Sequence, residues 1–305
     1  MIDWPSYNRS LVRRGEILLF SYDFLDTWGY ELEKMNRNKK GKPFVFPNCF
    51  ILVIGYIRIS FHLPYRQTEG IINATGKRLL PAANPSYGHI CKRINNLNID
   101  ISRGKTDDDD DDDDDLILAI DSTGIKVTNR GQWMNEKWNV QNKKGYLKIH
   151  VAVNIKTKEI LALEVTNEKV HDGKMLKKLV NHVLDNSSKP NTTKIKSILA
   201  DDGAYDSNNN FRYLEDKKII PGIKVRKNSV VSPKNNRLRN KESRLQAKDL
   251  LKWKTKRKYG QRWMCETVFS AIKRMFGEHS SAIRFQNMIK EMMIKVSLYN
   301  LFRRI

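Results

Sequence analysis

The sequence predicts an α/β chain in which a mainly helical region, residues 1 to about 100, precedes a sheet flanked by helices. Three observations carry this prediction. Apolar residues recur with helical periodicity through the first hundred positions. Two short, wholly apolar runs, Leu116 to Ile120 and Ile195 to Ala200, have the composition of strands buried on both faces. Between them, Tyr146 to Asn154 and Ile160 to Val165 alternate apolar and polar residues around the turn Lys156–Thr157–Lys158, which predicts an antiparallel hairpin.

Charge narrows the partner. The 305 residues carry 56 Lys+Arg against 34 Asp+Glu, a formal +22. Nine of the acids form one tract, Asp107 to Asp115, so the rest of the chain stands at 56 against 25, or +31. An excess of this size points to a polyanion, nucleic acid before a membrane surface, because no basic interfacial helix stands out. The longest apolar run, Phe50 to Tyr56, is too short to cross a bilayer. The start of the sequence has neither the basic leader nor the apolar core of a signal peptide. Three scattered cysteines without a CxxC indicate a reducing compartment, with no disulfide framework and no zinc site. A cytoplasmic, nucleoid-associated location is expected.

In chain order, Ser10 to Leu18, Phe24 to Met35 and Phe50 to Phe61 read as helices, with a basic Gly/Pro connector at Lys39 to Pro47. Pro64 to Ile72 and a second segment follow. Asn84 is the expected N-cap there, with Pro85 at the first helical position. Ile90, Ile94 and Leu97 then share one face, and Lys92 and Arg93 lie on another. Residues 64–98 thus resemble a helix-turn-helix, with Lys92 and Arg93 as DNA contacts. The connector from about Gly76 to Asn84 exceeds the usual tight turn, so an ordinary helical bundle is the other reading.

The aspartate tract cannot pack against itself, which makes 105–115 a solvated linker between a helical domain (1–104) and a catalytic domain (116–305). It has no fixed coordination geometry and is assigned no catalytic role. The second domain should contain a helix near Gly173 to Leu184, a short strand near Ile219 to Val225 and a basic segment at 222–258. Lys224 to Lys258 holds 14 Lys/Arg and only Glu242 and Asp249 as acids. Trp133 and Trp138, among Arg130, Lys137 and Lys143, suit stacking on splayed bases or packing in the interior. His171–Asp172 could orient a water or simply open a helix on the surface, and Cys265 reads as a small packing residue.

The chemistry is concentrated in three acids. One apolar strand ends at Asp121, the other at Asp201–Asp202, and a later helix presents Glu266. On that helix Tyr259, Glu266 and Lys273 are seven residues apart, about 20° of rotation per step, with Arg262 beside them. Met264, Val268, Ala271, Ile272 and Met275 form the opposite, apolar stripe, leaving an amphipathic final helix (Ile289, Met292, Met293, Val296, Tyr299) to close the chain. Three converging carboxylates need cations between them. Oxygen ligands suit Mg²⁺ or Mn²⁺, and two such ions can assist an in-line displacement at phosphorus.

The spacing Tyr259-x2-Arg262-x3-Glu266-x6-Lys273 resembles the motif of DDE transposases of bacterial and archaeal insertion sequences, in the group related to insertion sequences four and five. Leu118-Ala-Ile-Asp121-Ser-Thr-Gly124, the Asp202-Gly-Ala-Tyr-Asp206 block, Tyr7 to Gly15 and Leu63 to Gly70 also resemble that family. The resemblance implies an RNase H-like mixed sheet flanked by helices. It implies Asp121, Asp202 and Glu266 as catalytic ligands of two Mg²⁺ ions, with Mn²⁺ able to substitute. Family spacing favours Asp202 over Asp201. The implied activity is phosphodiester hydrolysis at a transposon end, then attack of the freed 3′-hydroxyl on target DNA. Arg262 and Lys273 would hold phosphates near the cut, with Tyr259 packing or hydrogen-bonding there. The implied partners are double-stranded DNA (inverted repeats and target) and further copies of the chain, a homodimer or larger in the DNA complex. The competing readings are a DNA-binding derivative that no longer cuts and a nuclease of the same fold acting on RNA–DNA hybrids.

Overall fold

A computed structural model describes residues 3–20, 23–79, 84–101, 116–127, 146–186, 195–200 and 203–305. The aspartate tract, Trp133, Trp138, Asp201 and Asp202 lie outside the described residues. The chain divides into two compact units, Met1–Asp100 with Ala282–Ile305, and Ile101–Ser281.

The first unit is helical: α1 (Trp4–Phe20), α2 (Asp23–Asp26), α3 (Trp28–Asn36), α4 (Asn48–Ser60), α5 (Tyr65–Leu79), α6 (Tyr87–Asn96) and, from the far end of the sequence, α12 (Phe285–Arg303). Helix α4 is apolar around most of its circumference and is buried accordingly, with Phe50, Ile51, Ile54, Ile57 and Ile59 inside. Phe50 packs on Trp28 at 5.1 Å and on Phe46 at 5.9 Å between ring centroids. Gly55 lets Ile294 of α12 come close, and the Tyr56 hydroxyl lies 2.7 Å from Ser297 Oγ. Helix α6 is capped by Ser86, whose side chain accepts from His89 N–H at 3.4 Å, in place of the expected Asn84 cap. Pro85 therefore precedes the helix instead of opening it.

Helix α12 departs from its expected amphipathic character. Met288, Met292, Ile294, Val296, Leu298 and Tyr299 bury all its sides, and the Glu291–Lys295 pair is buried with them at 3.7 Å. Its inward polar residues have partners: Glu291 meets Lys295 and Ala282 N–H, and Ser297 meets Tyr56. The sequence reading places this helix in a domain spanning 116–305, whereas its contacts group it with the first hundred residues.

The second unit is built on five strands, β1 (Leu116–Lys126), β2 (Tyr146–Asn154), β3 (Ile160–Asn167), β4 (Ile195–Ala200) and β5 (Ile220–Ile223), in the order β3-β2-β1-β4-β5. The hairpin strands β2 and β3 are antiparallel, as is the β1–β2 pair, while β1–β4 and β4–β5 are parallel. The sheet is therefore mixed, flanked by helices, and consistent with the RNase H-like expectation. Helix α7 (Leu176–Asp185) lays Leu176, Leu179, Val180 and Val183 onto one face of the sheet, against Leu118 and Ile120. After β4 come α8 (Asn208–Asp216), β5, then α9 (Arg237–Lys248), α10 (Leu250–Lys256), a 3-10 turn (Tyr259–Trp263) and α11 (Met264–Phe276).

Candidate active site

Side chains alternate along a strand, so Leu118, Ile120 and Ser122 share the α7 face of β1, while Asp121 and Thr123 project from the other. Asp121 is not at the end of its strand, as the sequence suggests. Pairing of β1 with β4 stops at Ile120↔Ala200, but pairing with β2 continues to Lys126↔Tyr146 and carries the strand six residues further. Lys126 also bridges to His279, its N–H bonding Glu278 O at 2.9 Å. Asp121 thus stands where β1 leaves its parallel neighbour.

Helix α11 covers this face. Its apolar stripe, Met264, Val268, Phe269 and Ile272, is buried, and Cys265 is fully buried as a packing residue. The exposed side presents Glu266 and Lys273. Lys273 Nζ donates to Thr123 Oγ1 at 2.8 Å, a bond between residues 150 positions apart that fixes α11 against β1. A cleft of about 580 Å³ is lined by Asp121, Thr123, Glu266, Lys273, Arg274 and Glu278, among others. Glu266 keeps 60% of its side chain exposed and meets Arg262 Nη1 at 3.3 Å. Glu278 pairs with Lys126 at 3.2 Å.

Tyr259 and Arg262 do not sit on α11 as expected. Lys258 adopts a left-handed backbone (φ 52°) and Gly260 weakens a helix at that point, so Tyr259–Trp263 forms a separate 3-10 turn. The Tyr259 ring is buried 5.2 Å from Trp253, and the Arg262 guanidinium lies 5.6 Å over it. Trp253 in turn donates its indole N–H to the buried Glu242 at 2.7 Å, and Arg257 pairs with the same carboxylate. A continuous stack therefore runs from Glu242 through Trp253 and Tyr259 to Arg262 and Glu266. Tyr259 supports Arg262 from below.

Asp202 lies outside the described residues, but the chain on both sides of it is held. Ala200 ends β4 in register with Ile120. Beyond, Asp206 is buried and receives both Nε and Nη2 of Arg239, at 2.7 and 2.9 Å, and the Arg226 N–H at 3.1 Å. Arg226 Nε donates to Gly203 O at 2.8 Å and its side chain lies where any Cβ on residue 203 would be, 2.4 Å from Arg226 Cγ.

On the α7 side of β1, sequence reading missed a second polar cluster. Ser122 Oγ donates to Asp172 Oδ1 at 2.7 Å, and Lys148 Nζ pairs with the same oxygen at 2.7 Å. His150, fully buried below them, bonds Thr166 through Nε2 at 2.9 Å and sets Nδ1 3.3 Å from Asp172. Burial pushes the His150 imidazole down to about 4, Asp172 opposing the shift and Lys148 adding to it. His171 is the outward partner of the pair singled out in sequence, its Nδ1 accepting from Gly173 N–H at 3.2 Å to open a short 3-10 turn. The alternation of β2 gave the position of His150; nothing local signalled its partners.

In the first unit, the basic residues of α6 separate. Arg93 is buried, donates to Asn48 Oδ1 at 2.9 Å and stacks 4.6 Å over Phe44, and burial lowers its pKa. Its guanidinium is engaged by Asn48 and the Phe44 ring. Lys92 remains exposed.

The donor set around the cleft is carboxylate oxygen without His or Cys, which fits a hard divalent cation. Among the described residues no cluster of three His, Cys, Asp or Glu with metal-ligand spacing occurs. Among the described residues, Asp121 and Glu266 are two carboxylates of this cleft able to hold such an ion.

A central-strand aspartate and a helix-borne glutamate thus line one cleft beside a mixed sheet, together with a lysine bonded to the strand. Residues 112–301, well over half the chain, match the family model for the transposase DDE domain, and residues 12–130 match a second model of the same description. The chain belongs to the DDE transposase family. No helix among the described residues is long and apolar enough to cross a membrane.

Proposed function

We propose that this chain cuts DNA at insertion-sequence ends and transfers the freed strand into target DNA, with Asp121, Asp202 and Glu266 as the catalytic carboxylates. One observation supports it above the rest: in a member of this family, Asp121 and Glu266, 145 positions apart in sequence, line a single cleft. Divalent ions, Mg²⁺ or in its place Mn²⁺, would lower the cost of bringing an attacking oxygen to phosphorus and stabilise the departing one.

The protein's own groups do the rest. The carboxylates would hold the ions beside the scissile phosphate. Lys273, held by Thr123, offers its remaining N–H donors to a non-bridging phosphate oxygen. Arg262 has five donors in a fixed fork, so it can keep Glu266 in place and hold a phosphate at once. In the first step water adds to phosphorus and the bond to the 3′ oxygen breaks, leaving a 3′-hydroxyl and a 5′-phosphate. In the second, that 3′-hydroxyl displaces a 3′ oxygen of the target strand, so the number of phosphodiester bonds is conserved. The working form is a homodimer or larger assembly on DNA.

Purified protein should nick duplex DNA carrying the element's ends when Mg²⁺ or Mn²⁺ is added. Asp121→Ala should lose at least about 10³-fold in cutting while binding the duplex within a few-fold of the parent, since the pocket's charge stabilisation acts mainly on the transition state. Full cutting in chelator, or equal loss of binding and cutting in the variant, contradicts the assignment. Cutting confined to RNA–DNA hybrids would replace transposition with hybrid nuclease activity.

A further inference from the structure

Helix α9 has two opposed faces, and only one is explained by folding. The inward face is polar and fully engaged. Arg239 holds Asp206, Glu242 receives Trp253 and Arg257, and Gln246 accepts from Val225 N–H at 3.0 Å and donates to Ile223 O at 3.0 Å. The outward face carries Arg237, Lys241, Arg244 and Lys248, all exposed. At 100° per residue these four fall within about 60° of one another, a single stripe along the helix. Lys252 and Lys256 form a further exposed i, i+4 pair on α10.

Two features separate this from an ordinary solvated face. Surfaces usually intersperse both signs, and like charges at i, i+3 and i, i+4 destabilise a helix. Yet the only acid in α9 is Glu242, which is buried, and Asp249 is occupied in capping α10 through Lys252 N–H at 2.8 Å. Cations are also sorted by partner. Arg239 and Arg257 are paired with buried acids, while none of the six outward cations pairs with an acid among the described residues. The stripe is a concentrated positive field on a helix whose back is fastened to the loop after β4 and to the stack under Arg262.

We propose that the outward face of α9 and α10 is a docking surface for the sugar-phosphate backbone of duplex DNA, separate from the catalytic cleft. This deepens the transposase reading and rests on it for the identity of the polyanion; the physical basis is charge complementarity to a regular row of phosphates. Four cations along twelve helical residues span about 16 Å of rise, enough to follow several phosphates of one strand without reading bases. The anchored back would make DNA bound there part of the same body as the segment flanking Asp202.

The test is the salt dependence of binding to a roughly 30-base-pair duplex of arbitrary sequence, using the full chain and a variant with Arg237, Lys241, Arg244 and Lys248 each changed to Gln. The slope of log K against log salt should shrink by about 3 to 4, and affinity near 0.15 M salt should fall about 10²–10³-fold. A single Lys241→Glu variant, with folding of both checked by thermal melting, should lose about one unit of slope or slightly more. Unchanged slopes in either folded variant overturn the proposal. So does a variant that loses binding to anionic phosphatidylserine vesicles while keeping its duplex slope, which would make the stripe a membrane contact. Cutting by the unaltered protein is assayed in parallel. Cutting with an unchanged slope would remove the docking surface and leave the chemistry; a reduced slope without cutting would do the reverse.

Discussion

Glu242 and Glu266 lie within one compact unit, two short helices apart, and they are treated in opposite ways. Glu242 is fully buried and its carboxylate is saturated by an indole N–H and a guanidinium. Glu266 keeps most of its side chain in solvent and shares one 3.3 Å contact with Arg262. Asp206 repeats the first pattern with two bonds from Arg239. An acid that holds the fold together is neutralised by the chain itself, because an unpaired buried charge is very costly. An acid meant for an external cation must keep oxygens available. Burial and donors together separate the structural acids Glu242 and Asp206 from Glu266.

That contrast can be broken by mutation. Glu242→Gln takes the counter-charge from the largely enclosed Arg257 guanidinium at a fully buried position and should destabilise the unit by about 3 kcal/mol. Glu266→Gln should change stability by no more than about 0.5 kcal/mol, as expected for an exposed side chain. Denaturant unfolding of the two variants side by side checks this; equal destabilisation would erase the distinction.

A smaller effect sharpens the comparison on the other side of the sheet. His150 is buried with its pKa near 4, below the ordinary 6.5, so the unfolded chain takes up a proton before the folded one does. The stability it contributes is fully present above pH 6.5 and is lost as pH falls from there toward 4, up to about 3 kcal/mol. His150→Gln should flatten the stability profile across that window. Parallel profiles for parent and variant would show that other groups set the acid limit.

Much of the sheet was legible because its signals are local. Apolar runs marked β1 and β4, and alternation marked β2 and β3, since side chains on a strand repeat every second residue. The Tyr-Arg-Glu-Lys spacing marked α11 and its acid. What failed to show was wherever polar residues turn inward. Helix α12 looked amphipathic from the spacing of its apolar residues, yet Glu291 and Lys295 pair with each other inside. The 222–258 segment read only as basic because Arg239, Glu242 and Gln246, the residues that anchor α9, have partners between 11 and 33 positions away. Ser122 finds Asp172 fifty residues on. The length of β1 past Asp121 was equally hidden, because its extension depends on β2 as a partner. Hydrogen bonding across the fold, unlike hydrophobic periodicity, leaves no pattern in a single stretch of sequence.

The most direct measurement is Mn²⁺ binding by isothermal titration calorimetry to the unaltered protein, Asp121→Ala and Glu266→Gln. The account predicts saturable binding in the first and at least about a tenfold loss of affinity in each variant, with melting temperatures little changed. Equal affinity in all three would mean that these two carboxylates do not share an ion, and the cleft would lose its catalytic assignment.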